Sequence, residues 1–90
     1  MKIVRNRCNG GFSLSDVAVD FLGLNNPYAD IERTDLSLVN LVEADANKAS
    51  GNYARLEVVE IPDTATDWEL DDHDGIERII YVVNGKIHHK

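Results

Sequence analysis

Apolar and polar positions along the chain fall into segments of different period, separated by glycine, proline and asparagine. KIVRNR at residues 2–7 reads as a short strand, ended by Asn9-Gly10-Gly11, where glycine admits positive φ. Ser13-Leu14-Ser15-Asp16 then supplies a helix start: either serine can accept from an orphan amide, and Asp16 suits the positive end of the dipole. A helix is predicted over about 15–22, burying Val17, Phe21 and Leu14. Gly23 ends it ahead of the Asn25-Asn26-Pro27 loop. Asp30-Ile31-Glu32-Arg33 reads as a short extended piece. Asp35 is an N-cap for a second helix through about Ala49, with Gly51 in the terminating position and Leu38, Leu41 and Val42 in one apolar stripe flanked by Val39 and Leu36.

The second half has the period of strands. YARLEVVEI, from Tyr53 to Ile61, is β-branched, with Leu56 and Val58 on one face, and Pro62-Asp63 breaks it. Trp68 and Leu70 alternate with Asp67, Glu69 and Asp71, the period of two of a half-buried strand. Asp74-Gly75 turns the chain into Glu77–Val83, whose apolar run reads as a more central strand. Asn84-Gly85 signals a type I′ hairpin returning through Lys86–His89 as an edge strand. The expected architecture is one α+β domain over residues 1–90. Two helices pack on one face of a small, mainly antiparallel sheet that ends in a C-terminal β-hairpin.

Charge changes this picture. The chain has 90 residues, 43% of them hydrophobic, with 16 acids against 9 bases for a net charge of −7. Nine of the acids fall between Leu56 and Glu77, a stretch without one Lys or Arg: Glu57, Glu60, Asp63, Asp67, Glu69, Asp71, Asp72, Asp74 and Glu77. Ordinary solvated faces mix signs, so this segregation points to a surface for a cation or a basic partner. If Trp68 and Leu70 turn inward, Asp67, Glu69 and Asp71 stand outward about 6.8 Å apart, twice the rise per residue. That is close to the spacing of successive phosphates. Asp72, Asp74 and Glu77 would extend the patch around the turn. The negative charge opposes direct contact with nucleic acid or an anionic membrane.

Other chemistry is thin. A calcium loop through Asp71–Gly75 fails on register, because Gly75 at position 6 puts Leu70 where a carboxylate is required. A structural zinc would draw on Cys8, His73 and Asp74, with His88 and His89 as further ligands. An enzyme would have to use Cys8 with His73, or the Glu69–Asp71 pair, and no nucleophile elbow, phosphate loop or HExxH helix accompanies them. Tyr28 and Trp68 are the aromatics able to anchor an interface, although the alternation turns Trp68 toward the core. The lone Cys8 excludes an internal disulfide. No apolar run of about 20 residues is present, and MKIVRNRC lacks a signal peptide's apolar core, so a reduced cytoplasmic setting is expected.

Two blocks carry a resemblance. Met1-Lys2-Ile3-Val4, Asn6-Arg7-Cys8, Gly10-Gly11-Phe12 and Leu14-Ser15 form the first. Tyr53-Ala54, Val58-Val59-Glu60-Ile61-Pro62-Asp63, Trp68-Glu69 and Asp74-Gly75 form the second. Both resemble a group of small phage and prophage proteins of unknown function. The likeness covers roughly residues 1–23 and 53–77 and departs at Asn84-Gly85 and the two final histidines. It transfers no catalytic role. What it implies is a setting: small acidic phage-type proteins often act on host machinery, and inhibitors of CRISPR nucleases, which hold nucleic acid in basic channels, are a recurrent example. The expectation is a non-enzymatic, anti-CRISPR-like inhibitor. It would present Asp67, Glu69, Asp71, Asp72, Asp74 and Glu77 to Lys and Arg of a basic host protein such as a CRISPR effector nuclease. The alternatives are the zinc-stabilised domain and the minor enzyme.

Overall fold

The computed structural model describes residues 1–90 and is α+β. In order along the chain come β1 (Lys2–Asn6), α1 (Asp16–Leu22), α2 (Leu36–Ala44), α3 (Ala46–Ala49), β2 (Leu56–Glu60), β3 (Asp67–His73), β4 (Ile76–Val83) and β5 (Lys86–His89). The strands form two antiparallel sheets instead of the single one expected: a β1–β2 ribbon and a β3–β4–β5 sheet. The ribbon is the middle layer. Successive strand side chains point to opposite faces, so Val4, Leu56 and Val58 pack with Leu14, Ala18, Leu38, Val39, Val42 and Ala49 on the helical side. From the other face, Ile3 and Val59 meet Ile61, Ile79, Tyr81, Trp68 and Leu70. The helices therefore cover one face of the ribbon and the C-terminal sheet covers the other.

Local chemistry explains most element ends. Ser15 caps α1 by accepting from the Ala18 amide, and Gly23 closes it at φ 68°. Asp35 caps α2 at Leu38. The helix expected to run to Ala49 is interrupted at Asp45, whose backbone ends α2 and whose carboxylate caps α3 at Lys48. A short acidic side chain competes with the helical ladder in this way. The strand expected from Tyr53 starts only at Leu56, because Gly51–Ala54 is a turn closed by Ala54 N–H donating to Gly51 O. In α1, Val17 and Phe21 are not buried: they are 58% and 66% exposed. The inward stripe is Leu14, Ala18 and Leu22, spaced by four, with a small alanine at its centre that lets the helix approach closely.

Asn84-Gly85 and Asp74-Gly75 both have positive φ at the two positions, as type I′ turns require. They differ in surroundings. A Cβ on Gly75 would press into Asn9 O and lie 2.7 Å from Gly11 N, whereas one on Gly85 would meet nothing. Gly85→Ala should thus cost only left-handed strain, about 1 kcal/mol, lowering Tm by about 4–8 °C. Gly75→Ala adds a backbone collision and should lower Tm at least about twice as far. Equal losses in thermal unfolding would show that the two turns are not docked differently.

Candidate functional site

Eight of the nine acids separate into two populations once the chain is folded; the ninth, Glu60, is exposed at the end of β2 in register with Lys2. Glu57 pairs with Arg5 at 2.7 Å and Arg7 at 3.4 Å. Asp63 accepts from the Met1 amine at 2.7 Å, and that hydrogen bond holds its carboxyl below the usual carboxylate range. Outside the stretch, Lys2 donates to Glu43 at 2.8 Å, which raises the Lys2 ammonium above its ordinary value. Bases from the first third of the chain thus neutralise part of a segment that contains none of its own.

Glu77 departs furthest from expectation. It is not a surface carboxylate: only 5% of it is exposed, on the inward face of β4. Arg33 grips it with both arms, Nη1 to Oε1 at 2.6 Å and Nη2 to Oε2 at 2.9 Å. The Asn6 amide donates to Oε1 at 2.8 Å. The Arg33 guanidinium lies 3.6 Å over the Phe12 ring, and the Val4 amide donates to Arg33 O at 2.8 Å. A carboxylate can be buried when charge-assisted bonds replace its water, and here three do. Asn6, fully buried, continues the network. Its Nδ2 donates to Cys8 O (2.6 Å) and Gly75 O (2.7 Å), while its Oδ1 accepts from the Cys8 and Arg55 amides. No buried side-chain nitrogen or oxygen lacks a partner.

This network docks the Asp74-Gly75 turn against the Cys8–Gly11 turn. A zinc ion was the alternative agent considered for this region; in the structure the Asn6 side chain bridges the two turns. Cys8 is half-buried, His73 and Asp74 are exposed, and nowhere do three or more His, Cys, Asp or Glu side chains converge as metal ligands.

The remaining candidates form a surface. Asp67, Glu69 and Asp71 alternate with inward Trp68 and Leu70 on β3, an edge strand, and all three acids are exposed. None of them, nor Asp72 or Asp74, has an ion-pair partner; Asp72 does not extend the outward row as expected, because strand alternation puts it on the opposite face, in register with Glu77, where it accepts from the Gly75 amide at 2.8 Å. The row is less uniform than the sequence suggested. Arg78 sits directly across from Asp71, and across from Asp67 and Glu69 lie Val82 and Ile80. Next to Val82, on β5, is Ile87. The apolar run Glu77–Val83 reads as a more central strand, but only its Ile79–Tyr81 face is covered, which leaves these apolar neighbours on the outer face. No helix in the chain is long and apolar enough to cross a membrane.

Removing one partner of the buried pair should be severe. Glu77→Gln and Arg33→Met are each expected to destabilise the domain by about 3–5 kcal/mol in urea unfolding. The double variant should fall short of the sum by at least about 1 kcal/mol, as coupled sites do. Additive losses would mean the two residues act separately. No protein-family model, curated protein or solved structure matches the chain.

Proposed function

We propose that the protein is a non-catalytic inhibitor of anti-CRISPR type, binding a basic nucleic-acid-contacting region of a host defence nuclease through the carboxylates of β3 and its turn. The observation that carries this reading is the unpaired, exposed row Asp67, Glu69 and Asp71 on the outer face of β3, with Asp74 in the following turn; Asp72, on the opposite face with Glu77, leaves the row. Glu77 drops out of the interface, because its carboxylate is committed to Arg33 and Asn6. The pleat spaces the three outward carboxylates about 6.8 Å apart, so they can occupy positions that phosphates would take in a basic channel. The hairpin is held by the Asn6 bond to Gly75 O, so little ordering entropy is lost when the row is engaged. The phage-type resemblance supplies the class of target, and charge supplies the mode: fast, salt-sensitive association.

The variant Asp67→Lys/Glu69→Lys/Asp71→Lys reverses three exposed charges without touching the core. In DNA-cleavage assays over a panel of purified CRISPR effector nucleases, the wild-type protein should inhibit at least one. The triple variant should bind that effector roughly 10–1000-fold more weakly at low salt, the range electrostatic steering covers. Its affinity should also vary less steeply with salt. Full inhibition by the triple variant, or no effector inhibited by the wild type, would refute the reading.

A further inference from the structure

The outer face of the β3–β4–β5 sheet is acidic only along one side. Beside that side lies an apolar strip: Ile80 and Val82 on β4 are half-buried and Ile87 on β5 is 69% exposed, with Arg78 and His89 also on this face. In register, Asp67, Val82 and Ile87 form one row across the sheet, Glu69, Ile80 and His89 form the next, and Asp71 faces Arg78 beyond it. Asp67, Glu69, Trp68 and the three aliphatic side chains line one shallow groove of about 170 Å³. A sheet face left to water is normally polar between its strands' inward residues. A surface that only imitated phosphates would have no use for three aliphatic side chains beside its carboxylates.

Resting on the acidic-interface reading above, we infer that this groove takes a basic amphipathic segment of the partner protein: apolar side chains seat on Ile80, Val82 and Ile87, and flanking Lys or Arg meet Asp67 and Glu69. Complementarity of charge selects this occupant. The carboxylates bordering the groove have no basic partner within the chain. A second copy would bring another net −7 chain against them. An apolar strip with unpaired carboxylates along one side can receive the apolar face of an amphipathic helix together with its flanking bases.

The Trp68 indole packs on the opposite face of the sheet, so occupancy of the groove is read by isothermal titration calorimetry. The probes are a Leu/Lys amphipathic helical peptide and an oligolysine of equal charge, titrated at low salt. The amphipathic peptide should bind at least about tenfold tighter than oligolysine, the factor expected from burying one aliphatic side chain. Ile87→Ser, at an exposed position that leaves the core intact, and Ile80→Thr, which keeps a β-branched strand residue, should each erase that advantage. Asp67→Lys/Glu69→Lys should abolish binding of both probes. If oligolysine binds as tightly and Ile87→Ser changes nothing, the apolar strip is idle and this inference fails, while the acidic interface stands. If the acid-to-Lys variant binds the amphipathic peptide undiminished, both readings fail. Two further outcomes overturn the inference: no binding of the amphipathic peptide, or sedimentation of the wild type as a dimer that Ile87→Ser disperses.

Discussion

The buried carboxylate of Glu77 is the constraint on which the rest of the structure depends. Desolvating a carboxylate costs several kcal/mol, and the fold answers with a two-armed guanidinium and a backbone amide. Each answering group belongs to a different part of the molecule. Arg33 comes from the loop before α2, Asn6 from the end of β1, and Glu77 itself from β4. The C-terminal sheet has only a small apolar cluster beneath it, built on Ile3, Ile61, Ile79 and Tyr81. Hydrophobic burial is non-directional and would tolerate several dockings of such a sheet. A bidentate ion pair with a fixed amide tolerates one, so the network sets how the three layers meet.

That network also changes the meaning of the acidic segment. In the sequence it is a single block of one sign. In the fold, Glu57, Asp63 and Glu77 are bound by bases or an amine from elsewhere, while Asp67, Glu69 and Asp71 stand free on an edge strand. The two populations are coupled mechanically. Asn6, which donates its amide to Glu77, also holds Gly75 O, and Gly75 turns the hairpin that carries the free carboxylates. The structural acids therefore fix the geometry of the exposed ones.

Local features were legible in the sequence where local chemistry decides. The caps at Ser15 and Asp35, the turns at Asp74-Gly75 and Asn84-Gly85, and the outward alternation of Asp67, Glu69 and Asp71 all rest on near neighbours. Placement decided by distant partners was not legible. Glu77 and Arg33 are 44 residues apart, and nothing beside either marks the pair. Two sheets in place of one follow from Ile3 and Val4 facing different cores, which a five-residue strand does not disclose by its pattern. In α1, bulk favoured Val17 and Phe21 as core, but close packing preferred the face carrying Ala18. The outward apolar strip at Ile80, Val82 and Ile87 was visible only as a strand too hydrophobic for one covered face.

Native-state hydrogen exchange at the Asn6 amide tests the central claim most directly, since that N–H is buried and donates to Glu77. If the network holds the layers together, this amide exchanges only through global unfolding, with an opening free energy equal to the stability measured by denaturant. An Asn6 amide that exchanges through a low-energy local opening, while the amides of β1 and β4 around it stay protected, would contradict the account.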